Sequence, residues 1–346
     1  MSYDNQGSAA VTHLSATRFD STNGLETAVP GYTPRSKPLH SPLHVLTAIT
    51  NPSRYASRYR LFSDFAKRVT DAGAILHVGE AAFGERPHTA ASIASAHQHL
   101  QLRTNHEIWH KENILNLLVS RLPADWKYCA WVDADVVFAR PDWVGEAVHQ
   151  LQHFGVVQMF SEAIDLGPDE TPIDQYRGFV KCYYECGMKG EANRHLSWHP
   201  GYAWAWRRDA LEAVGGFMDT AILGSADQHM ANALIGRGRP SINPRMHPNY
   251  LGDVDRWEAR AERHIRRNIG YMPGLLVHHW HGRKANRGYL DRWKILSRHR
   301  YDPHHDIKRD SQGLYQLHDD GTERSMRLRD EIRAYFRSRN EDSIDL

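Results

Sequence analysis

The sequence predicts an α/β fold: one domain on a mostly parallel central sheet, with a helical C-terminal extension. Three observations carry this. Residues 44 to 78 read strand, helix, strand at the spacing of a βαβ crossover. Tyr128–Val132 is uniformly aromatic, aliphatic or Cys, as a strand covered on both faces must be. That run stops at two acids, Asp133 and Asp135, and Pro141-Asp-Trp-Val then opens another helix with Pro in its first turn.

Taken in order, residues 1 to 41 are polar, rich in Ser, Thr, Gly and Pro, and read as a flexible tail. His44–Ile49 is the first strand. A loop from Asn51 to Arg60 enters a helix whose Leu61, Phe62, Phe65, Ala66 and Val69 share a face, closed by Gly73. Ala74–Val78 and His99–Arg103 are strands, and Glu107–Ser120 is a helix with Ile108, Leu115, Leu117 and Leu118 apolar. Val156–Phe160 is a strand. Residues 163 to 200 read as a long connection holding one helix. Gly201–Trp206 alternates as a strand and leads to a short helix, Asp209–Val214, stopped by Gly215-Gly216-Phe217. A further helix opens at Asp227 and runs to Gly236. Leu275–Gly282 carries a late histidine cluster, and Arg324–Arg339 is a charged, exposed terminal helix. There are no internal repeats.

Composition narrows the function classes. With 346 residues, 24% charged and 41% hydrophobic, the chain is an ordinary globular one. A net charge of +2 supplies no global field for nucleic acid, although Arg256 to Arg309 is locally basic. Cys129, Cys182 and Cys186 form neither a disulfide framework nor a zinc set, which points to a reducing, cytoplasmic compartment. The first residues lack a signal pattern, and no run approaches the ~18 apolar residues that cross a bilayer. A soluble protein is expected.

The acidic pair is the centre of the chemistry. On an extended chain, Asp133 and Asp135 point to the same side. Two such anions resist burial unless a cation compensates them, and a hard divalent ion with oxygen ligands does so. The pair stands at the C-terminal end of a strand, the edge where open α/β sheets bind ligands. His279 and His281 alternate with Trp280, so on a strand they share a face, and imidazole favours Mn2+ over Mg2+. Arg54, Arg58 and Arg60 follow Pro52 and suit phosphate. Trp204 and Trp206 either stack on a sugar or pack in the core. Arg283, Lys284 and Arg287 form a basic surface or a lid. Asp227 is either a helix cap, a general base or both.

The order of these elements, from residue 42 to 285, resembles the GT-A glycosyltransferases. The β-1,4-galactosyltransferase and polypeptide GalNAc-transferase branches are the most similar. Lys111-Glu-Asn-Ile-Leu-Asn116 is similar to the helix those enzymes place before the acidic strand, and Gly201–Gly236 to their acceptor-side motif. That motif usually carries Glu-Asp where this chain has Ala226-Asp227. The resemblance implies a single Rossmann-like GT-A domain. Residues 42–140 would be its nucleotide-sugar half, 141–290 its acceptor and catalytic half, and 291–346 a helical extension. It implies an inverting, metal-dependent hexosyltransferase using Mn2+ or Mg2+ and a UDP-sugar. Asp135 would bind metal together with His279 or His281, and Asp227 would be the base. Arg54, Arg58, Lys111, Asp133, Asp135, Trp204 and Arg283 would contact the donor. The acceptor would be a hydroxyl on a glycan or, in a phage-encoded member, on a hydroxymethylated DNA base. Two alternatives stand beside this. A sugar-nucleotidyltransferase wants a Gly-rich loop after strand one, where this chain has Thr50-Asn-Pro-Ser-Arg-Tyr. A glycosyltransferase-like binding protein would explain the missing Glu.

Overall fold

A computed structural model describes residues 41–93, 96–188, 198–289 and 291–345; the expected tail lies outside these but for its last residue. The chain forms β1 (Leu43–Thr50), α1 (Ala56–Asp71), β2 (Ile75–Phe83), α2 (Ala90–Ile93), β3 (Gln98–Thr104), α3 (Lys111–Val119), β4 (Tyr128–Val132) and β5 (Val136–Phe138). There follow α4 (Trp143–His153), β6 (Val156–Gln158), β7 (Glu162–Leu166), β8 (Pro172–Gly178), α5 (Phe179–Cys186), β9 (Trp198–His199) and β10 (Ala203–Arg207). The remainder is α6 (Arg208–Ala213), α7 (Ala226–Ala233), α8 (Pro248–His264), β11 (Ile269–Tyr271), β12 (Leu275–His278), α9 (Asp291–Arg298), β13 (Ile307–Arg309), β14 (Tyr315–Leu317) and α10 (Glu323–Ser338).

Seven strands build the main sheet in the order β11-β6-β10-β4-β1-β2-β3. Its pairs are parallel except those of β10, which runs antiparallel to β4 and β6. Alternate residues of each strand feed two cores, as the pleat requires. Leu46 and Trp131 face Ile114, Leu118 and Phe217 on one side. Val45 and Val132 face Phe62, Phe65, Trp143 and Leu151 on the other. Both faces are covered, which explains the uniformly apolar strands.

The structure departs from the sequence reading in five places. The Asp133-Ala134-Asp135 step is not extended. The main sheet loses the chain at Val132, the backbone turns, and β5 joins a second sheet, β5-β12-β7-β8-β9. Residues 163 to 200 are not merely a connection, since they supply β7, β8, α5 and β9. Strand β8 escapes notice because its first four residues bury nothing, so no apolar alternation marks it. Pro141 precedes the cap Asp142 and lies outside the helix. The terminal helix α10 is not simply exposed, because Leu328, Ile332, Tyr335 and Phe336 are buried. The extension also adds the β13–β14 hairpin to its helices.

Beyond α10 the chain returns to the start of α1. The Asp342 carboxylate accepts from the Ala56 and Ser57 backbone N–H groups, each at 2.8 Å. Glu341, 1% exposed, takes Arg58 through two bonds of 2.5 and 2.7 Å and Arg339 through one of 2.6 Å. Gly282, at φ +83°, leaves this strap its room; a Cβ there would meet Asn340 O at 2.7 Å. Among the described residues no helix is long and apolar enough to cross a membrane.

Removing one partner of a buried pair strands the other charge. Glu341→Ala is therefore expected to cost about 3 kcal/mol or more in urea unfolding, and Asp345→Ala, on the exposed end, less than about 0.5 kcal/mol. Equal midpoints would refute the strap's structural role.

Candidate active site

A cavity of about 700 Å³ opens where β1 and β4 end. Thr50 and Asp133 stand on its rim, together with Arg58, Lys111, Asp135, Asp227 and His281 from the sequence reading. Antiparallel β10 starts at this same end, so Tyr202 arrives beside the acidic turn, and its carbonyl accepts the Asp133 N–H at 2.9 Å. Gly201 then lets helix α7 approach: a Cβ there would lie 2.5 Å from Asp227 Oδ2.

Asp135, His278 and His281 each aim one ligand-type atom at a common point, all within 4.8 Å of one another. Nε2 of His281 lies 3.0 Å from Asp135 Oδ2, and Nε2 of His278 lies 3.8 Å from it. The two Nε2 atoms are 3.2 Å apart. Such a contact requires either a shared proton or a cation between the rings. Oδ1 of Asp135 is buried without a hydrogen-bond partner. An oxygen and two imidazole nitrogens converging in this way fit a first-row divalent ion, Mn2+ better than Mg2+. Behind His278, Asp165 Oδ1 lies 3.1 Å from Nδ1, and the Tyr202 ring stacks at 4.8 Å. That is the carboxylate–imidazole support common behind metal ligands.

The charge states follow from these neighbours. Burial opposes ionisation of Asp135, but His278 and His281 hold its carboxyl well below the usual range. Burial also works against charging His278, yet Asp165 and Asp135 raise it to about 9. His281 is pushed down to about 4 by burial and by Arg287, whose Nη2 is 3.0 Å from its Nε2. Burial resists the charge on Asp165, and His278 and Lys284 overcome it.

A second group of acids surrounds one ammonium. Lys111 ion-pairs with Asp133. Burial opposes the Lys111 charge, but Asp133, Glu112 and Asp227 all favour it and raise its pKa above the ordinary value. Asp133 itself is pushed up by burial, with Lys111 pulling the other way. Asp227 is not the cap of α7; that position belongs to Ser225, at φ +83°. Its Oδ1 accepts only the Gln228 N–H, at 2.8 Å, among the described residues.

Six residues of the sequence reading fall outside this arrangement. His279 is replaced by His278: β12 ends at His278, so the alternation with His281 breaks, and His279 contributes its backbone N–H to Asp135 O at 2.8 Å instead. Arg54 is exposed in the turn after β1, at φ +60°, and Arg60 is also exposed. Trp204 is 1% exposed and donates to Pro200 O at 2.8 Å; with Trp206 it belongs to the core. Arg283 is exposed at the start of the turn whose Lys284 and Arg287 line the cavity. Arg58 reaches the cavity wall but is bound to Glu341 and to Thr50 O. The sequence reading missed His278, Asp165, Glu112 and Glu341. Only His278 and Glu112 lay inside motifs already singled out.

No family model matches the chain, and no curated protein matches it. The solved structures to which it is similar are of low identity and include the following. One is a Desulfovibrio desulfuricans protein provisionally described as a nucleotide-diphospho-sugar transferase, at 12% identity over 85% of this chain and 96% of that one, TM-score 0.31. Another is Drosophila β-1,4-galactosyltransferase 7, crystallised with manganese, UDP-Gal and xylobiose, at 10% over 57% and 62%, TM-score 0.32. The third is 4-diphosphocytidyl-2C-methyl-D-erythritol synthase of Anaerococcus prevotii, at 7% over 68% and 87%, TM-score 0.36.

Titration with Mn2+ by calorimetry separates the two histidine assignments. His278→Ala is expected to weaken binding about tenfold or more, and His279→Ala to leave it at the wild-type value. The reverse result would restore His279 as the ligand.

Proposed function

We propose that this protein is an inverting, metal-dependent glycosyltransferase that moves a sugar from a nucleotide-sugar, a UDP-sugar, to an acceptor hydroxyl. One observation carries the reading. The Asp135–His278–His281 cluster shares a single cavity with the Asp133–Lys111 pair and with the carboxyl of Asp227. Asp135, His278 and His281 would hold a divalent cation, which would supply positive charge to offset the negative charge of the departing diphosphate. Lys111, Arg287 and Lys284 add positive charge around that position. Asp133, at the rim beside Lys111, would take the ribose. Asp227 takes the proton of the attacking hydroxyl. Its remaining oxygen has no competing donor among the described residues. We assign the protein to the GT-A glycosyltransferases on this basis. The loop after β1, Asn51-Pro-Ser-Arg, offers no glycine cradle for a nucleoside triphosphate, which weighs against a nucleotidyltransferase.

Incubation with Mn2+ and a panel of UDP-sugars is expected to hydrolyse at least one donor slowly. EDTA and Asp135→Ala should each abolish this. Metal-independent turnover that survives Asp135→Ala would overturn the assignment, and UTP release on adding pyrophosphate would mark a nucleotidyltransferase. Asp227→Asn is expected to lower transfer by roughly 10² to 10⁴ with unchanged donor affinity; full transfer would remove it as the base.

A further inference from the structure

Two of the three cysteines stand together, and neither lines the cavity. Cys182 and Cys186 lie four residues apart on α5, so they share a face of the helix. Their Sγ atoms are 3.2 Å from each other. The Cys186 thiol also donates to Cys182 O at 3.0 Å, so the proton between the two sulfurs is the one on Cys182. Cα atoms four residues apart in an α-helix are separated by about 6 Å, within the ~4.4–6.8 Å span of a disulfide. The sulfurs must close to about 2 Å, and α5 has the freedom for this at one end. Its first turn is fixed, Val180 N–H donating to Gln158 Oε1 at 2.9 Å. Its last turn stops at Gly187, φ +59°, directly after Cys186.

The two thiols are unequal. Cys182 is 3% exposed, and burial together with the second sulfur pushes it up to about 11. Cys186 is only half-buried, so a solvent-borne oxidant reaches it first. Cys129 lies apart in β4, wholly buried, where burial pushes its thiol up. Among the described residues no third His, Cys, Asp or Glu joins the pair in a metal set, and two thiols do not complete a zinc site.

We propose that Cys182 and Cys186 are a peroxide-sensitive thiol pair, in which Cys186 is oxidised first and Cys182 closes the disulfide. The inference does not depend on the glycosyltransferase reading. Cys186, as its thiolate, attacks one oxygen of hydrogen peroxide. The O–O bond breaks, the departing hydroxide takes the Cys186 proton as water, and a sulfenic acid remains. The Cys182 sulfur then attacks the sulfenic sulfur. The S–O bond breaks, and the second hydroxide leaves as water with the Cys182 proton. The peroxide gains two electrons and the two thiols lose two. In a reducing compartment such a bond is transient, which suits a sensor better than a staple.

The test uses the full-length protein, reduced and then freed of reductant, at neutral pH. Hydrogen peroxide is expected to lower the thiols titrated after denaturation from three to one and to remove two hydrogens from the intact mass. Peptide mapping should place the bond between Cys182 and Cys186, and dithiothreitol should restore every thiol. Cys182→Ser should stop at a sulfenic acid that dimedone traps on Cys186. Cys186→Ser should keep both remaining thiols through the same exposure. Wild type that retains all its thiols, at an exposure that fully oxidises free cysteine, overturns the inference. So does a bond that includes Cys129 or joins two chains, or a dimedone adduct on Cys182 in Cys186→Ser. The wild-type readouts decide the matter where a serine variant fails to fold.

Discussion

Compensation of buried negative charge is the constraint on which the cavity depends. Asp133, Asp135, Asp165 and Glu341 all stand in or beside one 700 Å³ space. An isolated carboxylate there would be prohibitively desolvated. Each has a cationic or imidazole partner from another element of the chain: Lys111 for Asp133, His278 and His281 for Asp135, Lys284 for Asp165, and Arg58 for Glu341. These pairs tie α3, β12, the turn after it and the C-terminal strap to the ends of β1 and β4. Glu112 and Asp227 share the Lys111 ammonium with Asp133.

The same constraint explains why the site lies between two sheets. A strand that continued straight past Val132 would carry both acids along the main sheet. The turn at Asp133-Ala134-Asp135 divides them instead. Asp133 stays with Lys111, while Asp135 moves toward β12, which pairs with β5 on one side and β7 on the other. His278 stands directly opposite Asp165 in the β12–β7 register, and so the supporting carboxylate and the imidazole are brought together by backbone pairing alone. The reversal of β10 completes the arrangement by delivering Tyr202, stacked between His199 and His278.

The central sheet was legible because its strands are covered on both faces and therefore uniformly apolar. The acidic pair was legible because it interrupts such a strand. The second sheet was not, since β7 and β8 are short, partly exposed and polar, and gain their order from neighbours remote in sequence. The exchange of His279 for His278 has the same origin. Alternation places side chains only while a strand lasts, and β12 stops one residue before the expected pair begins. Trp204 and Arg283 show the limit of residue type as evidence: indole serves a core as well as a sugar, and the turn that exposes Arg283 brings Lys284 and Arg287 inward. Glu341 could not be foreseen from spacing, being nearly three hundred residues from Arg58.

The basic stretch from Arg256 to Arg309 takes on a different meaning once its partners are known. Arg256 pairs with Asp253, Arg298 with Glu331, Arg309 with Asp219 and Lys284 with Asp165. Arg260 donates to Val214 O at 2.6 Å, and Arg292 to Ser225. Nucleic-acid binding draws its strength from cations free to replace counterions along a phosphate backbone. Arginines already engaged with carboxylates and carbonyls of their own chain contribute little to that. The density of Arg in this region therefore reflects how helices α8 and α9 and the hairpin are fastened around the cavity.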